Sequence, residues 1–351
     1  MHSELTEEIE GEESTSLARR KDNLEEVRLI SLGTYTPDKV LTNKDLEEMV
    51  DTSDEWIKSR TGIEYRHLLG EDQNPSDMGV RASRRALEGS PIEGPDLDLI
   101  IVATNVSDFP IPGSAPFLAQ SICPDSDVPF FDLKAGCSGF IYGIDMGLAC
   151  LAGGSYENIL VVGLEALSRV IDWEDRKTCV LFGDGAGAAV LRAGPSADGG
   201  RVLASKIHGN SNKAGLLRVE AGGTRLPADG DWNRENYYLQ MEGKGVFKSA
   251  VKMMEQASRE VLANTGLSVQ DLDLIVPHQA NVRIIKQLGR NLGVKMDKVM
   301  VNLDRFANTS TATVPLALEE AMAKGRIEKG DLVLLTAFGA GATYGATLLE
   351  F

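Results

Sequence analysis

The sequence predicts an α/β body made of two duplicated halves, and three observations lead there. Ala82-Ser83-Arg84 recurs 175 residues downstream as Ala257-Ser258-Arg259, with Leu87 recurring as Leu262. Asp96-Leu97-Asp98-Leu99-Ile100 recurs residue for residue as Asp271-Leu272-Asp273-Leu274-Ile275. The helix-like and strand-like segments around these strings follow the same order in both places. Two copies are too few for a solenoid, so the prediction is one compact body with an internal pseudo-two-fold. A site at the junction draws on both halves.

Residues 1–25 hold eight acids and three bases and little to bury, which predicts a mobile polar tail. The first half is assigned to 26–199. There the helix through Ala82–Leu87 feeds a strand at Leu99–Ala103, and a β-type run, Val128–Leu133, enters the turn Lys134–Gly139. Ser138–Leu151 is apolar and rich in Gly and Ala, the composition of a buried helix, and a strand follows at Asn158–Gly163. Gly183-Asp184-Gly185-Ala186-Gly187 lacks the Lys-Ser/Thr of a phosphate loop and precedes a strand-like run, so it is assigned to packing. The second half, 200–351, repeats the scheme. Leu274–Val276 is a strand ended by Pro277, Val299–Leu303 matches Val128–Leu133, and Asp331–Thr336 and Gly345–Leu349 match Asn158–Gly163 and Gly187–Leu191. The turn holding Asn308 is thereby equivalent to the one holding Cys137.

With 42% hydrophobic and 25% charged residues the composition is that of a globular protein. No apolar run approaches the roughly 18 residues of a membrane span, and no basic-then-apolar leader is present, so a cytoplasmic protein without membrane insertion is expected. Cys123, Cys137, Cys150 and Cys179 show neither metal spacing nor a disulfide framework, which suits a reducing compartment. The net charge of −16 opposes nucleic acid and anionic membranes. Two local basic faces stand against it: Lys244, Lys248 and Lys252 at i, i+4, i+8, and Arg283, Lys286 and Arg290 at i, i+3, i+7.

Three side chains are candidates for chemistry. Cys137 lies between a strand and a helix, where N-terminal N–H groups and the helix dipole favour a thiolate nucleophile. His278 follows Pro277 at a strand's C-terminal edge, the place where open α/β sheets gather ligand sites. Asn308, with Thr309 and Ser310, joins them from the turn equivalent to that of Cys137. The glycine-rich Phe338–Gly345 segment could aim backbone N–H groups at a developing oxyanion.

From about Val27 to Phe351 these residues resemble the β-ketoacyl-[acyl-carrier-protein] synthase III family, condensing enzymes of the thiolase superfamily. The motifs that carry the resemblance are Asp54-Glu55-Trp56-Ile57 with Arg60-Thr61-Gly62-Ile63, the Cys137 turn, Phe182–Gly187, His278-Gln279-Ala280-Asn281, Asn308-Thr309-Ser310 and the terminal glycine loop. The resemblance implies a five-layer αβαβα thiolase-like fold of two related halves, usually a homodimer, acting by a ping-pong condensation. Cys137 would take an acyl group from an acyl-coenzyme A. Malonyl-carrier protein would lose CO₂, with His278 and Asn308 holding the enolate and the N–H groups of Cys137 and Ala340 the oxyanion. No cofactor or metal is implied. Asn308 in place of a second histidine favours the initiating class, and the terminal loop lacks the second cysteine of a thiolase.

The resemblance also assigns Trp56, Arg60 and Arg176 to coenzyme A. It assigns Gln279, Ala280, Asn281, Val282, Arg283 and Lys248 to the acyl carrier protein, with Phe247 beside Lys248 as the expected apolar anchor. Ile111, Leu167, Phe182, Leu239 and Phe338 go to the acyl pocket, with the Phe109–Gly113 stretch reaching toward the partner subunit. Gly136 and Ser138 stand where alanines are common, and Ala340 where glycine is. Two further readings stand beside the initiating role: a paralogue serving a specialised pathway, such as one to a biotin precursor or polyketide, and a non-catalytic scaffold that docks carrier protein.

Overall fold

The computed structural model describes residues 27–195, 199–227, 230 and 233–351, so the predicted tail, 1–25, lies outside the described residues. Strand β1 (Arg28–Tyr35) is followed by a small hairpin, β2 (Lys39–Thr42) with β3 (Tyr65–Leu68), which brackets helices α1 (Asn43–Met49) and α2 (Asp54–Thr61). Then come α3 (Pro75–Glu88), β4 (Leu99–Ala103), α4 (Ala115–Ile122), β5 (Phe130–Leu133), α5 (Gly139–Ala152), β6 (Asn158–Glu165) and β7 (Gly185–Arg192). The chain continues through β8 (Gly200–Gly209), the short pair β9 (Leu217–Arg218) and β10 (Gln240–Met241), α6 (Gly243–Thr265), β11 (Leu274–Pro277) and α7 (Val282–Leu292). It ends with α8 (Leu303–Phe306), α9 (Thr313–Ala323), β12 (Leu332–Gly339) and β13 (Thr343–Glu350).

Nine strands form one sheet in the order β11-β12-β13-β8-β1-β7-β6-β4-β5. Its centre is thin: the β1–β8 ladder pairs Arg28 with Arg201 and Leu29 with Gly200, and beside it Val202 N–H donates to Val27 O at 2.9 Å. Outward from that join the order runs β7-β6-β4-β5 on one side and β13-β12-β11 on the other. The copies of the repeated Asp-Leu-Asp-Leu-Ile string therefore sit at matching places, each feeding a strand parallel to its neighbour, β4 to β6 and β11 to β12.

Helices α5 and α9 lie between the half-sheets. Phe140, Ile144 and Leu148 of α5 and Val314 and Leu318 of α9 share one buried core with Ile101 and Val161 from one side and Val276 and Leu335 from the other. Gly143 brings α5 close, since a Cβ there would stand 2.6 Å from Val161 Cγ1. Met78 and Leu118, from α3 and α4, cover the outer face of the first half-sheet. Met254 and Leu288, from α6 and α7, cover that of the second. The result is the five-layer αβαβα body. Both faces of each half-sheet are covered, which is why β4 and β6 are buried at every residue and read as continuous apolar runs rather than alternating ones. Each fully buried aliphatic side chain in this core contributes about 1.5–3 kcal/mol. Among the described residues no helix is long and apolar enough to cross a membrane.

One expected element differs. Val299–Leu303 is not a regular strand: Val299 bridges Ile275, and Met300 N–H donates to Ile275 O at 2.8 Å. Beyond that rung the buried Gln279 amide takes over, donating to Met300 O at 3.1 Å and accepting from Asn302 N–H at 3.0 Å. A side chain supplies the donor and acceptor of the next rung, and the chain turns into α8. The 183–187 segment packs as expected, because the buried Asp184 carboxylate accepts from the N–H groups of Leu69 and Ser168.

Candidate active site

Cys137 sits in a tight 3₁₀ turn, Gly136–Ser138, between β5 and α5. Gly136 has φ +56°, and a Cβ there would stand 2.2 Å from Ala340 N; a Cβ on Gly339 would stand 2.2 Å from Cys137 N. Only glycine allows these two turns, one from each half, to touch backbone to backbone. His278 continues the end of β11, its N–H donating to Thr336 O at 2.8 Å. Asn308 is clamped to the Leu181–Gly183 segment: its N–H donates to Leu181 O at 3.0 Å and its carbonyl accepts from Gly183 N–H at 3.1 Å. Three of the four non-glycine residues with positive φ among those described, Ala307, Ser310 and Ala342, lie in these turns. Such conformations persist only where the surroundings enforce them.

The electrostatics follow from burial. Cys137 is pushed up to about 12, chiefly by loss of water, although the Ser310 hydroxyl and the N–H groups of Cys137 and Ala340 pull the other way and the Glu165 carboxylate adds to the rise. The resting sulfur is therefore a thiol, not the thiolate that the helix terminus alone suggested. Burial also pushes His278 down to about 3, so its imidazole is neutral. Asn308 Oδ1 accepts the Ser310 N–H at 2.9 Å, which fixes the amide and leaves its NH₂ to donate.

Two cavities meet at Cys137. One of about 170 Å³ is lined by Cys137, His278, Asn308, Phe247, Ala280 and Asn281 among others. The second, about 490 Å³, is lined by Cys137, Leu167, Phe182, Leu239 and Ala340, so three residues expected in an acyl pocket do line one space. Phe338 lines the smaller cavity instead, together with Phe182. Ile111 lines neither and is 88% exposed, while its neighbour Pro110 reaches the larger one. A polar cavity of about 660 Å³ beside α6 is bigger than both but contains none of the three candidate catalytic residues.

On the surface, the Arg176 guanidinium lies 5.0 Å from the Trp56 ring centroid, over the ring as a cation–π pair. Arg60 is exposed in the last turn of α2. Lys248, Lys252, Arg283 and Lys286 are exposed on α6 and α7, and Arg283 also donates to Ser59 O at 3.2 Å. Asn281 caps α7 by accepting the Arg283 N–H, and Val282 packs toward Gly62. Gln279 corrects the expectation of a carrier-protein contact. It is 1% exposed, and both ends of its amide are bonded internally, so no partner could touch it.

Sequence reasoning missed Glu165 and Thr313. Glu165 is fully buried at the end of β6 and accepts hydrogen bonds from Asn105 N–H at 3.1 Å, Val106 N–H at 3.3 Å and Ser310 Oγ at 3.1 Å. Its signal was a lone acid closing an apolar strand. Thr313 Oγ1 lies 2.6 Å from His278 Nδ1, and nothing local in the sequence marks it.

Residues 131–211 match the family model for 3-oxoacyl-[acyl-carrier-protein] synthase III, and 262–351 match the model for its C-terminal part. The β-ketoacyl-[acyl-carrier-protein] synthase III of Caldanaerobacter subterraneus subsp. tengcongensis is 46% identical over 92% of this chain and 97% of its own. The crystal structure of 3-oxoacyl-[acyl-carrier-protein] synthase III from Aquifex aeolicus VF5 superposes with a TM-score of 0.85 at 41% identity, covering 93% of this chain and all of that one. The Thermus thermophilus enzyme does so at 0.84 and 42%, covering 92% and 99%. At that identity and coverage, the chain belongs to the 3-oxoacyl-[acyl-carrier-protein] synthase III family.

Proposed function

We infer that the protein is the initiating condensing enzyme of fatty-acid synthesis, an acyltransferase that joins an acyl-coenzyme A primer to malonyl-carrier protein with loss of CO₂. The observation that carries this reading is the meeting of two cavities at Cys137, with His278 and Asn308 on the wall of one and an apolar pocket forming the other.

In the first half-reaction the Cys137 sulfur attacks the primer thioester. Its proton leaves with coenzyme A as the free thiol, and the acyl chain lies in the larger cavity against Leu167, Phe182 and Leu239. The N–H groups of Cys137 and Ala340 hold the tetrahedral oxyanion. In the second, the malonyl carboxylate departs as CO₂ and leaves an enolate, whose oxygen receives hydrogen bonds from His278 and the Asn308 amide. The enolate carbon attacks the acyl-Cys137 carbonyl and the cysteine sulfur is expelled and reprotonated. A neutral His278 serves this step as a donor that need not be desolvated again. No cofactor is invoked.

Trp56, Arg60 and Arg176 are proposed to hold the coenzyme A nucleotide, and Lys248 and Arg283 to receive the acidic carrier protein, with Phe247, Ala280 and Asn281 at the channel mouth. The halves 26–199 and 200–351 each contribute one face of the site, and we propose a cytoplasmic homodimer. Intact-protein mass after incubation with a panel of acyl-coenzyme A primers tests the assignment: one acyl adduct is expected, absent in Cys137→Ala, its mass naming the primer. No adduct from any primer would overturn it.

A further inference from the structure

We propose that Thr313 is a positioning residue that sets the tautomer of His278, its hydroxyl donating to Nδ1 so that Nε2 carries the proton facing the pocket. The two side chains are buried together, with Thr313 Oγ1 2.6 Å from Nδ1 and 2.9 Å from the Ser310 carbonyl oxygen. A hydroxyl has one proton to give, and the two recipients have opposite consequences. Donation to Ser310 O would require Nδ1 to be the protonated nitrogen, leaving a bare lone pair on Nε2 that repels an enolate oxygen. Donation to Nδ1 leaves Nε2–H as the donor the reaction needs.

The second arrangement gives up the hydrogen bond from Thr313 Oγ1 to Ser310 O but strands neither atom. Ser310 O already accepts the backbone N–H of Thr313, so it does not depend on the hydroxyl. The same turn also sets the other donor, since Ser310 N–H occupies Asn308 Oδ1 and directs the NH₂ outward. Ser310 is held at φ +51° while doing so. One turn, 308–313, thus fixes the polarity of both groups facing the substrate. His278 remains neutral because it is buried, which makes its tautomer the property that matters.

The inference rests on the functional reading only for what the Nε2 proton does, so its first test needs no turnover. In the full-length protein labelled with ¹⁵N-histidine, long-range ¹H–¹⁵N correlation at neutral pH should show His278 as the Nε2–H tautomer. In Thr313→Val the signal should move toward Nδ1–H, and decarboxylation of malonyl-carrier protein should fall about 100-fold in kcat, with KM within about twofold. Acyl-Cys137 formation should stay unchanged. Thr313→Ser should restore both tautomer and rate. A wild-type Nδ1–H signal, or Thr313→Val keeping Nε2–H, would overturn the proposal. Should Thr313→Val not fold, the wild-type spectrum and Thr313→Ser still decide. Failure of wild-type acylation would count against the functional reading alone.

Discussion

Glu165 is held by two segments at once, the loop of Asn105 and Val106 and the turn of Ser310, in a place where water cannot reach it. Burial pushes its carboxyl up to about 7, against the hydrogen bonds that favour the charged form. The folded state therefore keeps a proton that the unfolded chain releases near its ordinary 4.5. Glu165's contribution to stability is fully present below that value, falls as pH rises toward 7, and is flat above. Urea unfolding from pH 5 to 8 should show Glu165→Gln with a shallower loss of stability than the wild type; equal slopes would remove Glu165 as the source. Asn308→Asp makes a sharper test of chemistry. The carboxylate still accepts from Ser310 N–H, but the donor to the enolate becomes a negative charge, so malonyl decarboxylation should drop about 100- to 1,000-fold with acyl-Cys137 formation intact. The clustering of Cys137, His278 and Asn308 on one cavity was legible in sequence because Cys137 and His278 each follow a strand, and Asn308 lies in a turn of the second half that matches the Cys137 turn even though a short helix, α8, precedes it. Glu165 was not, since its significance lies in contact with Ser310, 145 positions away.

At the level of elements, the duplicated strands were readable because β4, β6, β11 and β12 are covered on both faces and so carry continuous apolar stretches, broken only by Asn158 and Glu165 at the ends of β6 and by Thr336 in β12. The 299–303 segment was not, because a side chain replaces its ladder. Gln279→Leu would leave Met300 O and Asn302 N–H buried without partners, and should cost about 1–3 kcal/mol in chemical denaturation, with the secondary structure retained. The basic faces of α6 and α7 were legible from spacing alone, and the structure leaves both exposed. Charge reversal at Lys248 and Arg283 should raise KM for malonyl-carrier protein roughly tenfold or more, an effect that added salt shrinks. Acylation by acyl-coenzyme A should not change. A loss shared equally by both half-reactions would point to distortion of the helices instead.

The whole molecule ends in an open sheet edge. Strand β5 is the last in the order, Phe130 and Phe131 on it are exposed, and Phe109, Ile111 and Met146 are exposed as well. An uncovered edge flanked by apolar side chains is an aggregation hazard that soluble proteins cover. The simplest cover is the same edge of a second copy, because a two-fold axis makes an antiparallel strand complementary to itself. The Phe109–Gly113 stretch gives this a functional side: Pro110 lines the larger cavity while Ile111 projects from it, so pairing would fix one wall of the proposed acyl pocket. Sedimentation should then find twice the 37.8 kDa chain mass, and Phe131→Asp should shift it to one chain. The same substitution should weaken acylation by long primers more than by short ones, because only long chains need the wall near Pro110. A wild type that sediments as a single chain at micromolar concentration would sink the argument, and a monomeric variant with unchanged primer preference would separate assembly from pocket shape.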